Sequence, residues 1–211
     1  MSGKIILLSA GSATAAVGGI STFFYLFQRE TIKSKVEKSG IKLIKYEDLL
    51  SWKTAFKGLK SKSEVIEELK KIDPSIADVS DLDKGGNALK SFCKTSWERP
   101  YKPGEQFFLQ VKEWCIQVPL TVKDQFLGSR KTLENNWESK FEAIKTSNTN
   151  QLKEDLKAID NQITKELTDN EDKNKFVAAL QKWCEDNLNK NLIEADSILE
   201  KAKHRCLKND N

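Results

Sequence analysis

Trp52-Lys53-Thr54-Ala55-Phe56-Lys57-Gly58-Leu59-Lys60-Ser61 returns downstream as Trp137-Glu138-Ser139-Lys140-Phe141-Glu142-Ala143-Ile144-Lys145-Thr146. In both copies the apolar residues step by four and then three, the spacing of one face of an α-helix. Leu49 extends the first stripe and Leu133 the second. Two further landmarks follow in the same order. Leu69-Lys70-Lys71-Ile72-Asp73 matches Leu156-Lys157-Ala158-Ile159-Asp160, and Val111-Lys112-Glu113-Trp114-Cys115 matches Leu180-Gln181-Lys182-Trp183-Cys184. Ordered landmarks of this kind mark a tandem repeat. The span from the first Trp to Trp-Cys is longer in the first unit, so an insertion is expected there, around Asp78 to Trp97. Trp52, Phe56, Trp114, Trp137, Phe141 and Trp183 are expected to be the packed core landmarks of the repeat.

The remaining soluble chain also steps at helical intervals. Ser61 and Glu64 form a capping-box pattern before Val65, Leu69 and Ile72, and Asp73-Pro74 closes that helix. A looser region is expected from Ser75 to Asn87, with Gly85-Gly86 as a breaker and a short helix from Ala88 to Trp97. Further stripes run through Leu152, Leu156, Ile159, Ile163 and Leu167, through Val177, Leu180, Cys184 and Leu188, and through Leu192, Ala195, Leu199, Ala202 and Cys206. No stretch alternates with period two for long enough to predict a sheet. The expected fold is all-α. It has an N-terminal transmembrane helix and then a helical bundle built from two divergent tandem units, about 42–127 and about 128–206 within a domain at 42–211.

The lead decides where that domain resides. Ile5 to Phe27 carries no charge and is bracketed by Lys4 and Arg29-Glu30. A helix of that length reaches about 34 Å, enough to cross a hydrocarbon core of about 30 Å. Phe23, Phe24, Tyr25 and Phe27 stand near one end, where an interfacial aromatic belt belongs. Ala13-Thr14-Ala15 resembles a signal-peptidase site, but the apolar run continues well past it. Residues 1–30 are therefore expected to be a membrane anchor, or a signal segment if cleaved, with 31–41 a juxtamembrane linker. Gly11, Ala15 and Gly19 give the anchor a small-residue packing face. The basic flank Arg29, Lys33, Lys35 and Lys38 favours a cytoplasmic domain on the positive-inside rule.

Composition narrows the function. The chain has 35 basic and 31 acidic residues, a net charge of +4 with the signs interleaved. That is the pattern of solvated helical surface and argues against nucleic acid as a partner. Arginine stands only at 29, 99, 130 and 205, which argues against base readout. No Gly-rich phosphate loop, nucleophile elbow or His-Glu-x-x-His motif occurs, and His204 is the single histidine. Carboxylate pairs such as Glu67-Glu68 and Glu185-Asp186 fit a solvated face. No catalytic residue, metal ligand or cofactor is expected, and the protein is not expected to be an enzyme.

Cys93, Cys115, Cys184 and Cys206 form an even set, the disulfide candidates of an extracytoplasmic domain. Cys184 and Cys206 would lie about 33 Å apart on one continuous helix, or be offset by about 16 Å in a hairpin turning near Lys190. A disulfide needs Cα atoms within about 7 Å. The pairs 184–206 and 93–115 are therefore disfavoured, and either remaining connectivity would tie the two units together.

The apolar N-terminal segment, the repeated Trp-x3-Phe and Trp-Cys landmarks and the Lys/Asn-heavy, Arg-poor composition resemble the paralogous families of uncharacterised membrane and surface proteins of haemotropic mycoplasmas. That resemblance implies a surface protein involved in host contact or antigenic variation, and supplies no catalytic or binding residue. The function expected is a membrane-anchored, surface-exposed, non-enzymatic interaction protein. It would be held in the membrane by 5–27, with a host or surface protein as partner, and secreted if the lead is cleaved. The alternative is a cytoplasm-facing, membrane-tethered helical scaffold.

Overall fold

A computed structural model describes residues 30–76, 81–147 and 149–208. The expected anchor at 5–27, its face at Gly11, Ala15 and Gly19, and Ala13-Thr14-Ala15 lie outside the described residues. Ten α-helices occur among the described residues, with a short 3-10 turn at Asn170–Asp172, so the described chain is all-α. They are α1 (Ile32–Lys38), α2 (Leu49–Leu59), α3 (Ser63–Lys70), α4 (Leu82–Trp97) and α5 (Gln106–Trp114), then α6 (Val122–Gly128), α7 (Trp137–Ile144), α8 (Thr149–Ile159), α9 (Lys173–Leu188) and α10 (Asp196–Cys206). No described helix is long and apolar enough to cross a membrane.

Two separate hydrophobic cores form, one from Ile32 to Cys115 and one from Val122 to Leu207. They part near Leu120, so Val122 and Phe126, expected in the first unit, pack with the second core. Each core is built on a 16-residue helix. The helix α4 meets α1, α2, α3 and α5, while α9 meets α6, α7, α8 and α10. The helix pairs in substantial contact all lie on one side of Leu120 or the other.

The two central helices bury the same steps. On α4 these are Gly85, Ala88, Leu89, Phe92, Cys93, Ser96 and Trp97, with Gly86 buried in addition; on α9 they are Phe176, Ala179, Leu180, Trp183, Cys184, Asn187 and Leu188. Increments of three, one, three, one, three and one give a broad apolar face rather than a narrow seam. Gly85-Gly86 is thus inside a helix and does not break it. A Cβ built on Gly85 would lie 2.0 Å from Cε1 of Phe56, so the missing side chain lets α2 and α4 meet. At the matching step on α9, Phe176 fills the space and stacks on Phe141 at 5.5 Å, with the rings 11° apart.

Local hydrogen bonding repeats as well. Thr31 and Thr121 cap α1 and α6, accepting from Ser34 N at 3.2 Å and Asp124 N at 3.1 Å. Gly40 and Arg130, two residues past those helices, take the left-handed conformation with φ of 80° and 57°. Asp73 and Asp160 end their helices by accepting from Ser75 N and Gln162 N, both at 2.9 Å. After α4 the chain pairs back on the start of α1, Ile32 N donating to Arg99 O at 3.0 Å; after α9, Val122 N donates to Lys190 O at 3.1 Å. After α5 and α10 it pairs ahead of α2 and α7, where Ile44 N donates to Cys115 O at 3.0 Å and Glu134 N to Cys206 O at 2.8 Å.

Three expectations fail here. The 31–41 segment is not a linker: α1 occupies it, with Ile32 and Val36 fully buried in the first core. Only two apolar residues four apart carry that helix, too few to stand out as a stripe. Trp114-Cys115 is not the partner of Trp183-Cys184. By order of elements Trp183-Cys184 stands where Phe92-Cys93 does. Counted from Trp52 and Trp137 to those cysteines, the second span is the longer, 47 residues against 41, so the extra chain is not in the first stretch around Asp78 to Trp97. Lastly, the cysteines pair as Cys93–Cys115 and Cys184–Cys206, with Cα–Cα distances of 5.8 and 5.6 Å, both across 22 residues.

Both pairs can close because the turns between their helices are not tight. The helices α4 and α9 end at Trp97 and Leu188, one turn past their cysteines, and the next helices begin only at Gln106 and Asp196. The non-helical chain between them absorbs the offset that two continuous helices would leave. Each bond closes its own core at roughly 3 kcal/mol, the loop-entropy value for a loop of this size.

Substituting Gly85→Ala should crowd Phe56 and lower stability by about 1–3 kcal/mol, the usual cost of overpacking. The urea midpoint of the oxidised protein measures this; an unchanged midpoint would mean that α2 and α4 do not approach as described.

Candidate functional site

Of the six aromatic landmarks, Trp52, Phe56, Trp114, Phe141 and Trp183 are buried and Trp137 is partly buried. They are packing residues. The indole of Trp52 donates to Lys45 O at 3.1 Å and lies 6.0 Å from the Trp97 ring. Trp114 packs on Phe92 at 5.2 Å, and at the corresponding place in the second core the Arg205 guanidinium lies 4.6 Å from the Trp183 ring. All four cysteines are in disulfides. Among the described residues no three His, Cys, Asp or Glu side chains come together as a metal site.

The feature that the repeat did not reveal is a cleft of about 390 Å³ where the two cores meet. Its walls include Leu59 and Trp114 from the first core, Val118 and Pro119 from the connection, and Leu192 and Leu199 from the second. This volume lies within the range of small-ligand pockets, about 300–1,000 Å³. The charges around it are already engaged. Glu113 pairs with Lys62, and Lys57 crosses the cleft to the second core. The Lys57 ammonium donates to Leu192 O at 2.6 Å and Ile193 O at 3.0 Å, and pairs with Asp196 at 2.7 Å. The walls therefore offer apolar surface, and the rim holds the two cores in register.

Lys57 sits directly after the Trp-x3-Phe landmark, yet nothing near it in sequence signals this role. Its acceptors are backbone carbonyls more than 130 residues away, which no side-chain pattern encodes.

The strongest electrostatics lie in the second core. Asp172 is buried and pulled down to about 2, first by the Lys175 ammonium at 2.8 Å, then by the backbone N–H groups of Thr164 and Lys165. It ties the segment carrying buried Ile163 to the start of α9. Burial alone would push the Asp155 carboxyl up, but Lys201 and Arg205, at 2.8 and 2.7 Å, together hold it below its usual range. Lys140 is 3% exposed; burial lowers its pKa, opposed by Glu134, and it donates to Leu207 O at 2.6 Å. His204 is also lowered, by burial and then by Lys140 and Arg205. In this group Asp172 and Asp155 knit α8, α9 and α10 together, while Lys140 holds the chain just past Cys206.

Replacing Lys57 by Met should release the junction while leaving both cores folded. Amide exchange at 116–121 and 192–196 should quicken by about tenfold, as expected for losing a charge-assisted bond worth roughly 1.5 kcal/mol. Unchanged exchange there, measured by mass spectrometry, would contradict the bridging role.

Comparison with known proteins gave no match: no family model, no curated protein and no solved structure is significantly similar to the chain.

Proposed function

We propose that this chain is a membrane-anchored, surface-exposed, non-enzymatic interaction protein whose exposed part is two divergent tandem helical units, each closed by its own disulfide. The observation that carries the reading is the pair of disulfides. Two bonds with the same 22-residue separation, one per core, suit an oxidising compartment outside the cytoplasm. The duplication is supported by central helices of equal length, buried steps that agree except at Gly86, and the matching hydrogen bonds around α1 and α6. The apolar run at 5–27, by its length and its aromatic end, supports an anchor that leaves the first unit next to the bilayer.

What such a protein does is hold a surface in front of the membrane. The apolar cleft between the units is the place where a partner protein could seat a side chain without displacing a core residue. The resemblance to haemotropic-mycoplasma surface families adds host contact or antigenic variation as the setting. A cytoplasm-facing scaffold is the second reading, favoured by Arg29, Lys33, Lys35 and Lys38 beside the anchor. It is the weaker one, because thiol-reducing conditions would leave both cores without their closing bonds.

Protease added to intact cells tests the side of the membrane. Digestion of the helical domain with the cells unbroken is the expected result. Full protection until lysis would replace this reading by the cytoplasmic scaffold.

A further inference from the structure

The first unit carries its lysines differently from the second. Lys33 lies 5.6 Å from the Trp97 ring centre, and Lys90 and Lys94 lie 3.9 and 5.0 Å from that of Tyr46. None of these three lysines is in an ion pair with a described carboxylate. Glu47 and Glu98, the acids nearest to Tyr46 and Trp97 in sequence, are exposed and do not engage them. Among the described residues of the second unit the one cation held over a ring, Arg205, is buried and already neutralised by Asp155.

Lys90, Lys94 and Trp97 follow one another along one face of α4, at steps of four and three. Two ammonium groups therefore converge on one ring, which is itself 39% exposed, and no described carboxylate forms an ion pair with either. Like charges one helical turn apart repel modestly. The aromatic rings hold the lysines in place without cancelling their charge. An external anion would relieve the repulsion.

The position of this face suggests which anion. The chain enters the first unit beside the end of α4, where Tyr101 N donates to Glu30 O at 2.7 Å and Ile32 N to Arg99 O at 3.0 Å. The apolar run ends at Phe27, and three residues span at most about 11 Å. We propose that the α1–α4 face of the first unit, through Lys33, Lys90 and Lys94 with the exposed ring of Tyr46, lies against the anionic phospholipid headgroups of the membrane that holds the anchor. The inference rests on the anchor reading above. It would fix the orientation of the first unit at the bilayer.

The test uses the full chain reconstituted in nanodiscs, either of phosphatidylcholine alone or with roughly a quarter phosphatidylglycerol. Acetylation of individual lysines is followed by mass spectrometry, and an alkaline wash reports whether the chain stays in the bilayer. Labelling of Lys33, Lys90 and Lys94 should slow about fivefold on the anionic discs only, and recover in high salt. Lysines of the second unit, such as Lys182, should not change. In the variant K90E/K94E, whose substituted positions are half-buried and exposed and lie outside the first core, protection of Lys33 should be lost. A chain that survives the wash but labels equally on both discs overturns the headgroup contact and leaves the anchor standing. A chain that washes off overturns both. Protection on neutral discs by added inorganic phosphate would show a free-anion site and overturn the membrane contact.

Discussion

Each core depends on one constraint: a long central helix tied, a turn before its end, to the residue at or just past the end of the unit's last helix. In the first core the tie runs from Cys93 on α4 to Cys115, and in the second from Cys184 on α9 to Cys206. The other helices of each core lie around that closed loop, and cores of this size have little apolar surface to spare. Closing 22 residues removes disorder from the unfolded chain where the fold is most irregular, in the non-helical stretches after α4 and α9. The backbone pairings ahead of α2 and α7 then attach next to the second cysteine of each tie.

Much of the fold was legible because helix periodicity survives in a charged sequence. The stripes through Trp52, Phe56 and Leu59 and through Phe141 and Ile144 proved to be core faces, whereas Leu49, expected to extend the first, is 49% exposed, and Leu133 and Trp137 of the second are only partly buried. What misled was conspicuous residue identity. Two Trp-Cys dipeptides invited alignment with one another, although by order of elements Phe92-Cys93 stands where Trp183-Cys184 does. The two central helices agree instead in burial at steps of three and one, with Gly85 at the step that Phe176 takes on α9. A glycine pair inside a helix looks like a breaker unless the ring of Phe56 that needs the space is known. The disulfide geometry failed for a related reason, because where a helix stops is less evident than that it exists.

The candidate site was less legible than the fold. The inter-unit cleft needs chain segments from Thr54 to Leu199, and its bridge ends on backbone carbonyls. The lysines over Tyr46 and Trp97 are individually unremarkable members of a lysine-rich chain, and only their shared rings and missing acids set them apart. The same abundance of lysine produces three outcomes in this protein: a bridge at Lys57, a buried donor at Lys140 and an unneutralised face at Lys90 and Lys94. The surroundings decide which.

The central claim is that the protein works oxidised, as two separately closed units. Thiols should be alkylated in intact cells, and the chain then digested without reductant and its cross-linked peptides identified by mass spectrometry. The account predicts peptides joining Cys93 to Cys115 and Cys184 to Cys206, with no alkylated cysteine. Four alkylated cysteines, or a bond joining one unit to the other, would contradict it.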